Sequence, residues 1–218
     1  MRFYLRKLSP EELANTLTHG FGLALSVVGF IFLFCLAILA GNLWHIASTA
    51  VYGLSLVVLY AASTLYHGAT TPRRKEILRI ADHCGIYLLI AGSYTPFGLL
   101  IANGLLGKGL LILIWFFAIS GVVLKVLFRH RFPVVSVASY VVMGWLGIFA
   151  LQPLTEVLGM MPVAMALAGG VAYTIGVVFF AWDRLPHNHA IFHVFVLAGS
   201  IVHYLAIAIY VIPYAINL

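Results

Sequence analysis

The chain has 218 residues, of which 63% are hydrophobic and 8% charged, and its mean hydropathy is +1.09. A water-soluble domain of this size needs far more charge on its surface, so the composition predicts an all-α, polytopic membrane protein. The net charge of +6 does not indicate a nucleic-acid partner. The basic residues lie in short segments between apolar runs, as membrane topology requires.

Apolar runs separated by short polar turns predict a seven-transmembrane helix bundle that forms a single domain over residues 1–218. At its start, Ser9 can cap a helix, Pro10 fits the first helical position and Glu12 completes a capping box. The first apolar run is too long for a removed signal peptide. The predicted spans are roughly residues 17–40, 43–67, 82–102, 109–125, 134–151, 163–182 and 189–211.

Two features lie between the spans. A polar loop from Thr70 to Arg79 separates the second span from the third. Lys108 and Lys125 bound the fourth span, where their long side chains can reach the two membrane interfaces.

Basic residues are distributed very unevenly between the two sides of the predicted bundle. Lys108 alone falls on one side, and eleven Lys and Arg residues fall on the other. The positive-inside rule therefore predicts a cytoplasmic N-terminus and a C-terminus outside, in a bacterial inner membrane or a similar membrane. The eleven residues are Arg2, Arg6, Lys7, Arg73, Arg74, Lys75, Arg79, Lys125, Arg129, Arg131 and Arg184.

Polar residues of three predicted spans fall at the same membrane depth. His189 and His193 open the seventh span four residues apart, which places both imidazoles on one helical face. Ser63 and His67 have the same spacing at the end of the second span, and Asp82 opens the third. Polar and ionisable residues within a membrane usually face the protein interior and have a function.

These residues indicate a metal site. His67, His189 and His193 supply three nitrogen ligands, and three protein ligands plus a water form the catalytic type of zinc site. Asp82 can then accept the proton of the attacking water, and Ser63 can hold that water or stabilise an oxyanion. The alternatives are that each histidine is an interfacial side chain with a wet tip, and that Asp82 caps the third helix.

Two further histidines have no assigned role from the sequence. His19 either packs against the site from the first span or marks the membrane interface. His203 lies fourteen residues after His189, close to the same face but about 21 Å along the axis. With Ser200 it predicts a polar, inward-facing stripe that is too far away to bind the same ion.

The motifs that carry these residues resemble the hemolysin III family, within the progestin and adipoQ receptor group. They occur in order, in the expected spans, over nearly the whole chain. They are Glu12-Leu13-Ala14-Asn15 with His19-Gly20, Ser63-Thr64-Leu65-Tyr66-His67, Asp82-His83-Cys84-Gly85-Ile86-Tyr87, Gly92-Ser93-Tyr94-Thr95-Pro96 and Asn188-His189-Ala190-Ile191-Phe192-His193.

The resemblance implies a seven-span fold with Zn²⁺ on His67, His189 and His193, and a nearby Ser and Asp that correspond to Ser63 and Asp82. The wider superfamily includes alkaline ceramidases, which hydrolyse a lipid amide, and adiponectin receptors, which are linked to ceramidase activity. The family name reflects a lytic activity credited to some members.

Three functions remain open at this point. The first is a zinc-dependent hydrolase of a lipid amide or ester, whose partner is a membrane lipid. The second is a receptor or regulator of membrane lipid state in which the zinc is structural. The third is a pore-forming, hemolysin-like protein, which the predicted inner-membrane topology disfavours.

Overall fold

The computed structural model describes residues 8–129 and 131–216, and this part of the chain is all-helical. A 3₁₀ segment, Leu146–Ala150, joins α5 to α6, and a π-helical turn, Ile207–Val211, joins α8 to α9. The α-helices are α1 Pro10–Ala40, α2 Leu43–Gly68, α3 Pro72–Leu100, α4 Leu105–Phe128, α5 Pro133–Trp145, α6 Leu151–Leu158, α7 Met160–Phe180, α8 Asn188–Ala206 and α9 Ile212–Ile216.

Six helical segments have the length and apolar composition that crossing a membrane requires. They are α1, α2, α4, the α5–α6 segment, α7 and the α8–α9 segment. The helix α3 is of similar length but is not among the six: its first turns are charged, and residues 83–100 include His, Ser, Thr, Pro and Gly residues that lower the hydropathy. The fold is therefore that of a multi-pass membrane protein, and the count of seven spans and the orientation stay predictions.

The helices pack mainly against their neighbours in sequence. The largest interfaces are α1 with α2, α2 with α3, and α7 with α8, and α1 also contacts α8. The starts of α1 and α3 meet the end of α2, because Glu12 binds both His67 and Lys75. The end of α4 lies there too, since Arg129 forms an ion pair with Glu76. The residues predicted to share one depth thus lie at one end of the bundle, which we call the site end.

Close packing of α2 on α3 positions two of the predicted site residues. A Cβ atom on Gly85 would lie 3.0 Å from the Leu59 Cα atom, so the two backbones approach as only a small residue allows. Ser63 lies one turn after Leu59 on α2, and Asp82 lies about one turn before Gly85 on α3. Since the two helices run antiparallel, this contact brings Asp82 alongside Ser63.

The helix α3 begins earlier than the predicted third span, and the predicted loop before that span is wrong. The structure begins α3 at Pro72, where proline fits the first helical turn, so most of the predicted Thr70–Arg79 loop is helical. Asp82 therefore lies well inside α3, and the alternative that it caps this helix is wrong. Charged residues mark the end of the apolar run, and the hydrogen-bonded helix continues past that point.

The predicted fifth span is not one regular helix. It breaks at the 3₁₀ segment, and Pro153, which was placed after the span, lies in α6. The Tyr94 hydroxyl of α3 accepts from the Gly147 N–H at 2.7 Å and donates to the Gly144 carbonyl at 2.6 Å. A side chain from another helix thus satisfies backbone groups at the break.

Two local predictions also change. Lys125 was expected to extend to an interface, but the residue is only 5% exposed. At the start of α1, Ser9 Oγ accepts from the Glu12 N–H at 3.2 Å as predicted. The Glu12 carboxylate binds His67 and Lys75 across the bundle. Its side chain therefore does not complete the predicted capping box.

The topology has a direct test, because α3 decides whether the number of spans is odd. With α3 crossing the membrane, a tag at the C-terminus is reachable from outside the cell and a tag at the N-terminus is not. A membrane-impermeant protease or label applied to intact cells reads out both tags. Two cytoplasmic tags would mean that the count of seven is wrong by one. Arg2, Arg6 and Lys7, which contribute to the predicted orientation, lie outside the described residues.

Candidate metal centre

Three histidines meet at the site end of the bundle. His67, His189 and His193 each present a ring nitrogen, and these atoms lie within 4.8 Å of one another. The ring centroids are 4.9 Å apart for His67 and His189, 5.0 Å for His67 and His193, and 4.6 Å for His189 and His193. The cluster can hold a metal ion, as the spacing of these residues predicts.

Local structure fixes the two helices that supply the cluster. His67 lies in the last turn of α2, and His189 and His193 lie in the first two turns of α8. Asn188 anchors the start of α8, because its side chain accepts from the His189 N–H at 2.8 Å and donates to the Phe180 carbonyl at 3.2 Å. The start of the second helix of the cluster is thereby tied to α7.

One ring nitrogen of His67 is available to bind a metal. His67 Nδ1 lies 2.6 Å from a Glu12 carboxylate oxygen, so this nitrogen donates its proton to Glu12. His67 Nε2 is then left with a lone pair, and it is buried without a hydrogen-bond partner among the described residues. A carboxylate that holds one nitrogen of a ligating histidine is the usual outer contact of such sites.

Glu12 also connects three helices around the cluster. Its second carboxylate oxygen forms an ion pair with Lys75 of α3, and Lys75 Nζ lies 5.5 Å from the Tyr66 ring centroid. Glu12 is on α1 and His67 is on α2. The carboxylate therefore fixes the His67 ring relative to two neighbouring helices.

His193 is held from α1 as well. Its Nδ1 atom lies 3.2 Å from the Thr18 hydroxyl, which also bonds to the carbonyl of Ala14 at 2.9 Å. The His19 ring stacks on the His193 ring with centroids 3.4 Å apart and planes inclined by 12°. Of the two readings open for His19, the structure supports packing against the site.

Asp82 and Ser63 are buried at the site end but are not part of the cluster. Ser63 is fully buried and Asp82 is 7% exposed. The packing of α2 on α3 brings the two residues alongside each other, and the Ser63 hydroxyl has no hydrogen-bond partner among the described residues. No oxygen of Asp82 belongs to the group of mutually close ligand atoms. A role for either residue in catalysis stays a prediction.

His203 is separate from the cluster, as predicted. It stacks on Tyr173 with centroids 5.5 Å apart, and the Tyr173 hydroxyl lies 3.0 Å from Ser200 Oγ. Tyr60 donates to the same Ser200 oxygen at 2.9 Å. Ser200 and His203 therefore form the expected inward polar stripe.

The helix α1 contributes more to the site than its sequence suggested. Glu12 was interpreted only as a capping residue, and Thr18 was not considered. A signal was present, because Glu12, Asn15 and His19 recur at spacings of three and four residues on one face of the helix. In the structure Asn15 and His19 are buried, which shows that this face points into the bundle.

Because two of the three clustered histidines lie on α8, we expect metal binding to require this helix. Purified protein should carry about one metal ion per chain, and replacing both His189 and His193 with Ala should abolish it, because one imidazole cannot hold the ion. His203→Gln on the same helix is the matched control and should keep the metal. Elemental analysis gives the amount and identity of the metal, and a lack of visible absorbance excludes haem. Full metal content in the double variant would contradict the assignment.

Replacing Glu12 should weaken metal binding without abolishing it. Glu12→Gln keeps the side-chain shape but removes the charge that holds the His67 ring, and outer-shell changes of this kind lower metal affinity by roughly 10- to 100-fold. Competition with a chelator of known affinity measures the change. The matched control is Glu11→Gln, which removes the same charge from the neighbouring, exposed residue. Equal affinities for the two variants would exclude an orienting role for Glu12.

Comparison with known proteins places this arrangement in a family. Residues 8–204 match the family described as Haemolysin-III related. The chain is 44% identical to Hemolysin-3 of Bacillus cereus over 94% of each chain. It is 42% identical to the Hemolysin-3 homolog of Bacillus subtilis, over 92% of this chain and 94% of the relative. It is 32% identical to the human monocyte to macrophage differentiation factor, over 90% of this chain and 83% of the relative. The chain belongs to the hemolysin III family, within the progestin and adipoQ receptor group.

Proposed function

We propose that this membrane protein is a zinc-dependent hydrolase of a lipid amide or ester, with His67, His189 and His193 as the ligands of Zn²⁺. The supporting observation is the cluster of three ring nitrogens within 4.8 Å, at the same end of the bundle as the buried Asp82 carboxyl and Ser63 hydroxyl. Three neutral imidazoles suit zinc, and they leave a fourth position open. Such an ion supplies Lewis-acid chemistry that makes water a nucleophile near neutral pH.

Asp82 is the general base in this proposal. Water adds to the acyl carbon, the C–N or C–O bond breaks, and the fatty acid keeps the water oxygen. The Asp82 carboxylate accepts a proton from the attacking water and returns it to the leaving amine or alcohol. The carboxyl is buried and its neighbour Ser63 comes from another helix, so its position is set by the packing of α2 on α3.

Ser63 has a positioning or electrostatic role. Its hydroxyl is fully buried and has no hydrogen-bond partner among the residues that the structure describes. An unpaired hydroxyl one turn from His67 can donate to the oxyanion that forms when water adds to the carbonyl. Removing one such donor typically lowers kcat by roughly 10²- to 10³-fold.

A second candidate is a receptor or regulator of lipid state in which the metal is structural. This reading is supported by the way in which the cluster joins α2 to α8, while Glu12 and Thr18 attach α1 to the same ligands. A metal at that point holds together helices that are far apart in sequence. The names of the Bacillus relatives refer to haemolysis, and a lytic role is the third candidate.

The proposed location is a bacterial inner membrane, with the site end facing the cytoplasm. The motive is the excess of Lys and Arg at that end. A hydrolase in this position would act on lipids of the cytoplasmic leaflet.

Asp82→Asn separates catalysis from structure. Asn keeps the shape and one acceptor oxygen but cannot act as a base, so we expect intact zinc binding and thermal stability with roughly 10²- to 10⁴-fold slower hydrolysis. Zinc content, thermal unfolding and turnover of a ceramide-like amide are measured on one preparation. Asp183→Asn, at an exposed position before α8, is the matched control. Unchanged turnover would remove Asp82 from the mechanism, and loss of zinc would make Asp82 a ligand.

A further inference from the structure

A second feature of the site end is a cleft between the end of α2 and the start of α3. It has a volume of about 330 Å³ and is lined by Tyr66, Pro72, Lys75, Glu76 and Arg79. Its walls touch the metal centre, because the Tyr66 and His67 rings lie 4.5 Å apart and Lys75 binds the carboxylate that holds His67.

The charges of the cleft are not balanced. Lys75 is paired with Glu12, and Glu76 is paired with Arg129. Arg79 is exposed and forms no ion pair with any residue in 8–129 or 131–216, although Asp82 follows it by three residues on the same helix. One guanidinium therefore remains available to an anion from outside the protein, and a guanidinium binds phosphate through two parallel hydrogen bonds.

The surroundings of the cleft are amphipathic. Leu65 of α2 and Ile77 of α3 flank the lining residues in sequence and are 58% and 60% exposed. Tyr66 adds an aromatic ring of the type that concentrates at membrane interfaces. A cationic cleft between two helices that also expose apolar side chains, at the end of a membrane-crossing helix, has the chemistry of a lipid headgroup site.

We propose that this cleft binds the phosphate of an anionic phospholipid headgroup. Arg79 makes the main contact, Lys75 lies over the Tyr66 ring and adds positive charge beside its ion pair with Glu12, and the acyl chains run along the exposed apolar surface beside Leu65 and Ile77. The site lies outside the histidine cluster and does not require hydrolysis or a bound metal. It places an anionic lipid against Lys75, whose ion-pair partner Glu12 also holds His67.

The simpler alternative is that Arg79 only contributes to membrane orientation, as the other basic residues of this end do. Arg73 offers the matched comparison. It is exposed, lies on the same helix and carries the same charge, but it does not line the cleft. General attraction between basic residues and an anionic surface predicts equal effects for both residues, and a headgroup site predicts an effect of Arg79 alone.

The experiment measures lipid binding to the purified full chain by native mass spectrometry. Phosphatidylglycerol is titrated against the wild type, Arg79→Gln, Arg79→Lys and Arg73→Gln, with phosphatidylcholine and inorganic phosphate as separate titrations. Thermal unfolding of each variant confirms that it is folded. We expect phosphatidylglycerol to bind more tightly than phosphatidylcholine. Arg79→Gln should weaken its binding by roughly five- to tenfold, since one charge-assisted contact is lost. Arg79→Lys should recover part of this loss, and Arg73→Gln should stay within about twofold of the wild type.

Two results would overturn the proposal. Equal losses in Arg79→Gln and Arg73→Gln would mean that the lipid is held only by the general positive charge of this end. Binding of inorganic phosphate as tight as that of phosphatidylglycerol would make the site one for a free anion. Because no turnover is measured, an inactive or metal-free protein does not affect either outcome.

Discussion

The contact between His67 and Glu12 is the interaction on which the rest of the site depends. An imidazole buried in an apolar bundle needs partners for both nitrogens, and Glu12 satisfies only Nδ1. Nε2 is thereby left as the His67 nitrogen that can bind an ion together with His189 and His193. The same carboxylate binds Lys75, so one side chain of α1 sets the relation between α2, α3 and the histidine cluster.

Buried polar groups are treated differently at the two ends of the bundle. Away from the site end, tyrosine hydroxyls form hydrogen bonds with the polar groups of the interior, as Tyr60 and Tyr173 do with Ser200. At the site end, buried polar atoms of His67 and Ser63 have no such partner among the described residues. Unsatisfied buried groups destabilise a fold unless a ligand completes them, so this end is where an ion, a water or a substrate is to be expected.

The metal centre and the basic cleft form one continuous region. Tyr66 and Lys75 line the cleft, and through Glu12 they reach His67. A lipid held by Arg79 would lie with its headgroup at the membrane boundary and its acyl chains on the exposed apolar surface of α2 and α3. Such a lipid would adjoin the metal centre without entering it.

The sequence by itself determined the class of protein, the approximate positions of the helices and the three histidines. Hydropathy reports which residues avoid water, and the four-residue spacing of His189 and His193 follows from helix geometry. Only the tertiary structure decided that α3 begins at Pro72 and that Lys125 is buried. It also decided that the Glu12 side chain contacts His67 instead of completing the capping box. Those outcomes depend on which face of each helix meets its neighbours. The partners of Glu12 lie 55 and 63 residues away along the chain, so no local pattern could assign them.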